Sequence, residues 1–194
     1  MREARRISYE QTKPYILDIH YAKRMPSISY AFGLFKCGEL CGVVTYGSPA
    51  SYTLCKGICG EEWKSNVIEL NRLVLKHNEK NDASWLVSRS LKMLDSPKIV
   101  VSYADTDQGH IGYVYQATNW FFTGTTKART DMASKDGKHS RHNLGDRTLR
   151  VKRSAKHRYV YFVGDRRQIK RMKDCLNYPV MEYPKKFDEE EKNT

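Results

Sequence analysis

No apolar run in the 194 residues comes near the ~20 that a membrane-spanning helix needs, and the opening MREARRISYE lacks the apolar centre of a signal peptide. Those two absences point to a soluble protein that meets no membrane and works in the cytoplasm. Five cysteines make an odd count without a secretion signal, which argues against a disulfide framework. An internal repeat is missing too. What the sequence has is 40% hydrophobic and 11% aromatic residues, enough for a packed core and too many for wholesale disorder. At ~100–200 residues per domain the length fits one domain, read here as 1–180 with a charged tail over 181–194.

Charge is concentrated. Lys and Arg number 34 against 22 Asp and Glu, a net charge of +12. Positions 1–126 hold 15 basic and 12 acidic side chains, 127–175 hold 16 and 5, and the remainder 3 and 5. A field gathered into one segment suits a polyanion, of which nucleic acid is the usual one; a solvated basic face is the other reading. His139, His142 and His157 would join it only below about pH 6.5.

Apolar periodicity alternates between strands and helices. Residues 4–9 read as a strand and 11–20 as a short helix interrupted at Pro14. Runs 29–36 and 40–46 form a hairpin turning at 37–39. A long loop over 47–65 holds at most one helical turn. Strand 67–75 leads to a helix over 82–94, with Asn81 or Asp82 as its N-cap. Strand 98–104, helix 109–117 and strand 120–126 precede a basic insert over 127–157. Strand 158–163 and a last helix over 166–176, capped by Asp165, complete the pattern. The fold class is α/β, a mixed β-sheet flanked by helices.

The step from strand 67–75 into the next helix carries the first chemistry. Free N–H groups and the helix dipole attract anions at such an N-terminus. Asn81 and Ser84 add donors and Arg72 adds charge, so a pyrophosphate fits; a plainly capped helix is the alternative. The next unit, GHIGYVYQATNWFF, is a short helix with a tyrosine, three residues, an asparagine and an aromatic strand. This succession, with its Y-x-x-x-N-W, resembles the GNAT acyltransferase fold. The resemblance implies acetyl-CoA between the fourth and fifth strands. It also puts Tyr115 where many members keep a tyrosine that protonates the departing thiolate. Two features depart from it: NEKNDAS stands where a glycine-rich pyrophosphate loop is usual, and Asn119 replaces a glycine.

Taken together, ELNRLVL, NDASWLVSRSLKML, IVVSYADTDQGHIGYVYQATNWF and the RTD…GKHSRH stretch resemble the phage Mom-type adenine-modification family over about residues 15–180. That resemblance implies a GNAT-like enzyme of the bacterial host's cytoplasm. It would convert adenine in DNA to N6-carbamoylmethyladenine, block restriction, and use acetyl-CoA and iron. It further implies a metal triad of His20, Tyr21 and Asp105, and cofactor contacts from Arg72, Ser84 and Tyr115. One more family tyrosine has three candidate positions, Tyr30, Tyr46 and Tyr52.

Iron has a chemical reason. The carbamoylmethyl group is joined through the former methyl carbon, which simple acyl transfer does not activate, and a redox metal or radical step meets that need. His, Tyr and Asp are N/O ligands suited to iron. Without the resemblance, His20 reads as a structural histidine and Asp105 as a helix cap, with Asp107 competing for either role. Cys37 with Cys41 and Cys55 with Cys59 form two C-x-x-x-C pairs. Zinc knuckles use C-x-x-C, so ordinary buried thiols are expected, with Cys175 facing the core.

Adenine N6 takes part in base pairing, so reaction there calls for an extruded base or a single strand. Trp63, Trp120 and Phe121 are candidates for stacking on it or for the core, and the loop 47–52 for contacting it. Arg129, Lys135, Lys138, Arg141, His142, Arg147, Arg150, Lys152 and Arg153 are the phosphate-contact candidates. Two rival functions are an ordinary GNAT acetyltransferase of RNA or a protein amine, and a non-catalytic nucleic-acid-binding protein.

Overall fold

The computed structural model describes residues 1–132 and 150–185. In chain order its strands are β1 (Arg2–Arg6), β2 (Tyr30–Lys36), β3 (Glu39–Gly47), β4 (Val67–Leu75), β5 (Lys98–Asp105), β6 (Phe121–Thr126), β7 (Arg129–Met132), β8 (Arg150–Arg153) and β9 (Lys156–Val163). The helices are α1 (Tyr9–Pro14), α2 (Tyr52–Cys59), α3 (Asp82–Leu91), α4 (Tyr113–Gln116) and α5 (Arg166–Asp174). Seven strands form a mixed sheet in the order β1-β2-β3-β4-β5-β9-β6, and β7 and β8 form a separate antiparallel ribbon.

Within the large sheet only β4 and β5 run parallel. They share three residue pairs, from Val67–Ile99 to Glu69–Val101. Beyond Glu69 the ladder stops and the strands part, leaving a wedge in the middle of the sheet. At the point of parting the Ser102 hydroxyl donates to Leu70 O at 2.8 Å, a side chain standing in for the ladder.

Both faces of the sheet are covered. Val100 faces the α3 side with Leu86, Val87 and Leu91, whereas Ile99 and Val101 face Ile58 of α2 and Met172 of α5. That two-residue alternation, apolar on both sides, is why β5 reads as a continuous apolar run. Among the described residues no helix is long and apolar enough to cross a membrane.

Several local expectations need correction. The first strand is Arg2–Arg6, not 4–9, because Ser8 starts α1 in a reciprocal capping box with Gln11. Pro14 ends α1, and a π-turn over Tyr15–Ile19 follows, closed by His20 N–H to Tyr15 O at 3.0 Å. The loop at 47–65 contains the two-turn α2, whose Ser51 cap accepts from Leu54 N–H. The helix expected over 109–117 is a 3-10 turn at Thr106–Gln108, left-handed Gly109 and Gly112, and the single turn α4. Inside the basic insert the chain forms the β7–β8 ribbon, and β9 begins at Lys156. Helix α3 ends at Leu91 and α5 at Asp174, each shorter than expected.

Candidate active site

The wedge opens a cavity of about 1440 Å³. Glu69 and Arg72 of β4 line it, with Ser102 of β5, Tyr115 of α4, and His20 and Tyr21 delivered by the π-turn. Glu69 and Arg72 are three apart, so a regular strand would point them to opposite faces. A bulge removes the conflict. In the pairing with β3, Tyr46 lies opposite Leu70 and Thr45 opposite Arg72, so Asn71 has no partner. Its side chain ties the bulge down, accepting from Thr45 Oγ1 at 2.6 Å and donating to Ser27 O at 2.7 Å.

Arg72 is half-buried. Its Nη1 donates to Asn71 O at 2.6 Å and its Nη2 to Arg24 O at 3.0 Å, while Nε is buried without a partner. A guanidinium N–H orphaned beside a cavity suits an anionic or carbonyl-bearing ligand, which is the observation that fits a CoA thioester here. Burial lowers its pKa, Arg24 adds to the effect, and Tyr21 and Glu69 oppose it.

Glu69 was not foreseen. It has no ion pair among the described residues, and burial pushes its carboxyl above the ordinary value of 4.5. A hydrogen bond from Ala50 N–H and the charges of Arg72 and Lys156 work against that rise. The result is a carboxylate with acceptor capacity to spare and enhanced proton affinity, the properties of a general base.

Tyr115 supplies the complementary group. Ser102 Oγ lies 2.8 Å from Leu70 O and 2.7 Å from the Tyr115 hydroxyl. The carbonyl can only accept, so it takes the single serine proton, and Tyr115 donates to Ser102. Burial pushes the phenol up to about 12, so it is protonated at neutral pH.

The expected metal triad is not assembled as a ligand set. Asp105 does not line the cavity. Its Oδ2 accepts from Lys156 Nζ at 2.7 Å and its Oδ1 from Asp107 N–H at 3.2 Å. Burial raises its pKa, but the bonds from Lys156 and Ser154 outweigh this and lower it. His20 Nδ1 accepts from Ala22 N–H at 3.0 Å, and its ring stacks on Tyr21 with centroids 4.3 Å apart. Burial, then Arg72 and His110, holds the imidazole down to about 4, so it is neutral. Among the described residues, no three His, Cys, Asp or Glu side chains gather into a group that could hold a metal ion. With Asp105 held by Lys156 and absent from the cavity lining, His20, Tyr21 and Asp105 as placed do not fit iron.

At the start of α3, Asn81 is left-handed and makes no side-chain cap, and the Ser84 hydroxyl donates back to Asn81 O at 3.2 Å. Neither lines the cavity; Asn78 of the same loop does. Asp82, only 2% exposed, sits between Arg2 Nε at 2.9 Å and Lys36 Nζ at 2.5 Å. A protein carboxylate therefore already stands at the positive end of this helix.

The aromatic candidates for base stacking are core residues. Trp63 and Trp120 are buried, and Phe121 packs on Phe162. Ser48, Ala50 and Ser51 of the 47–52 loop do reach the cavity. Tyr30, Tyr46 and Tyr52 are not among its lining residues; they bond Asp95, Ser90 and Lys64 instead. Cys37 is exposed on the β2–β3 turn and Cys41 lies on β3, whereas Cys55 and Cys59 lie on α2. Cys175 packs into the cluster around Met172.

Of the basic candidates, Arg129 and Arg153 pair across the ribbon and both line the cavity, while Arg150 and Lys152 are exposed. Lys135, Lys138, Arg141, His142 and Arg147 lie outside the described residues. His157 packs against Phe122, and burial lowers its pKa, so mild acid does not add it to the basic field.

The fold and the sequence both have counterparts among known proteins. An N-acetyltransferase from Staphylococcus aureus Mu50 superposes with a TM-score of 0.51 over 84% of this chain and 99% of that one, at 15% identity. A likeness this remote in sequence shows the fold alone, and the fold is GNAT-like. The methylcarbamoylase mom of Escherichia phage Mu is 33% identical over 113 residues, 55% of this chain. The chain covers 46% of that relative's length. The Mom protein family model matches residues 3–185. A match over nearly the whole length places the chain in that family: it belongs to the Mom proteins.

Proposed function

We propose that this chain is a phage-type transferase that acts in the bacterial host's cytoplasm, converts adenine in DNA to N6-carbamoylmethyladenine and so protects the DNA from restriction. The observation that carries the reading is the pair Glu69 and Tyr115 on one cavity at the β4–β5 wedge. When N6 forms its bond to the former methyl carbon it loses a proton, and Glu69 would take it; replacing that carbon's C–H bond by C–N also requires a two-electron oxidant, a co-reactant from outside this chain. The amide requires ammonia or another nitrogen donor; when that nitrogen displaces the thiolate the sulfur needs a proton, and Tyr115 would give it. Acetyl-CoA would supply the two-carbon unit, held by Arg72, by Asn78 and by the edge of β4 that β5 leaves unpaired. Among the described residues the iron that the family resemblance implies has no ligand set, and none of these roles is routed through it.

A second reading, plain N-acetylation of an amine, is favoured by the same base and acid, which it also requires. Mass spectrometry of nucleosides from cells expressing the protein separates the two. Carbamoylmethyl on adenine supports the first reading, acetyl on adenine or another amine supports the second, and unmodified DNA removes the first.

Arg72→Ala should weaken CoA binding about tenfold or more, as expected for one charged hydrogen bond. Calorimetry with the purified protein checks this, and unchanged affinity would move the cofactor elsewhere. Lys127 and Arg129 line the same cavity. If they meet phosphates, replacing both with Ala should flatten the log–log salt dependence of duplex binding by about 0.9 for each. An unchanged slope would make them a solvated face.

A further inference from the structure

We propose that the target adenine enters the cavity out of its helix and lies with its face on the ring of Tyr21, so that Tyr21 and His20 act as a stacking platform and not as metal ligands. This rests on the DNA-modifying reading above. Tyr21 is an aromatic side chain left 55% exposed, although it lines a cavity. His20 lies on the ring with planes 28° apart, and His110 meets it edge-on at 6.4 Å. The ring therefore rests against two imidazoles while much of its surface faces solvent. A flat, half-open aromatic surface is what an extruded base requires, because every base has a π-face and stacking needs no hydrogen-bond code.

Its surroundings suit a nucleotide. Lys127 and Arg129 line the same cavity and can meet the flanking phosphates. Glu69 lines it as well and can accept from the exocyclic amine. Trp63 and Trp120 are buried in the core and cannot form such a platform, and the half-buried Trp85 is not among the cavity's lining residues.

Ligation and stacking use different parts of Tyr21. A ligand needs the phenol oxygen; a platform needs only the ring. The test compares two single strands by fluorescence anisotropy at fixed moderate salt: one adenine flanked by abasic nucleotides, and a wholly abasic strand of equal length. The native protein should bind the adenine strand about tenfold more tightly. Tyr21→Phe should keep that preference, and Tyr21→Leu should abolish it while binding the abasic strand as the native protein does, which shows that the variant is folded. Loss of the preference in Tyr21→Phe as complete as in Tyr21→Leu would assign the role to the oxygen and overturn the platform. Equal binding of both strands by the native protein overturns the platform alone. Failure to bind either strand overturns the DNA-modifying reading and the platform with it.

Discussion

Glu69→Gln should lower adenine modification by about 10²–10⁴-fold, the usual worth of a general base. The loss should fall on kcat, because the amide keeps the shape of the carboxylate and leaves the cavity's size unchanged. CoA and DNA affinities should stay near native values. Stability should not suffer, since the substitution removes a charge that burial already disfavours. The native pH profile should carry the same signature. Burial raises the carboxyl pKa, so its base form is lost as pH falls through a point above the ordinary 4.5. The acid limb of kcat should sit above 4.5 and vanish in the variant. Initial rates from nucleoside mass spectrometry across pH test both halves. A Gln variant with native turnover would take proton abstraction away from Glu69.

Gly47→Ala should cost about 1–3 kcal/mol, as overpacking does. A Cβ at Gly47 would stand 1.9 Å from Ser27 O and 3.1 Å from Asn71 Nδ2. The first of these atoms is backbone and cannot rotate aside. Relief would require moving residues 24–27, and Asn71 would lose its bond to Ser27 O. Arg72 is anchored on Arg24 O in the same segment, so its guanidinium should shift as well. At about 2–4 °C per kcal/mol for a chain of this size, Tm should fall by several degrees, and CoA binding should weaken in parallel. A thermal melt paired with calorimetry checks this. An unchanged Tm would mean that the 24–27 segment yields freely and does not brace the site.

The legible parts of the sequence were those set by local period. Strand β4 matched its expected limits because VIELNRLVL is rich in Val, Ile and Leu and bounded by polar loops. Asp165 announced the start of α5 as its cap, and the structure adds the reciprocal bond from the Gln168 side chain. The two departures from the GNAT pattern also have a physical reading: Asn81 (φ 68°) and Asn119 (φ 60°) are both left-handed, and asparagine is the residue that best replaces glycine there. The site was less legible because its geometry comes from breaks in period. The bulge at Asn71 turns Glu69 toward the same side as Arg72, and nothing in a two-residue alternation signals it. Asp105 pairs with Lys156 because β9, distant in sequence, lies beside β5. Trp63 and Trp120 carry no mark that separates a core aromatic from a stacking one.

The basic insert is attached to the sheet in a way that frees it from the sheet. Strands β6 and β9 are antiparallel neighbours, with Thr126 opposite Lys156 and Lys156 N–H donating to Thr126 Oγ1 at 3.0 Å. The chain leaves the sheet and returns to it at adjacent positions. Closing a loop on such a stem costs only about 0.6 kcal/mol for each doubling of its length. The β7–β8 ribbon can therefore change length beyond its base without straining the wedge. Its base is a different matter: Lys127, Arg129 and Arg153 line the cavity there and Ala155 O accepts from Thr106, so the hinge is part of the site while the ribbon beyond it is free to vary around Glu69, Arg72 and Tyr115.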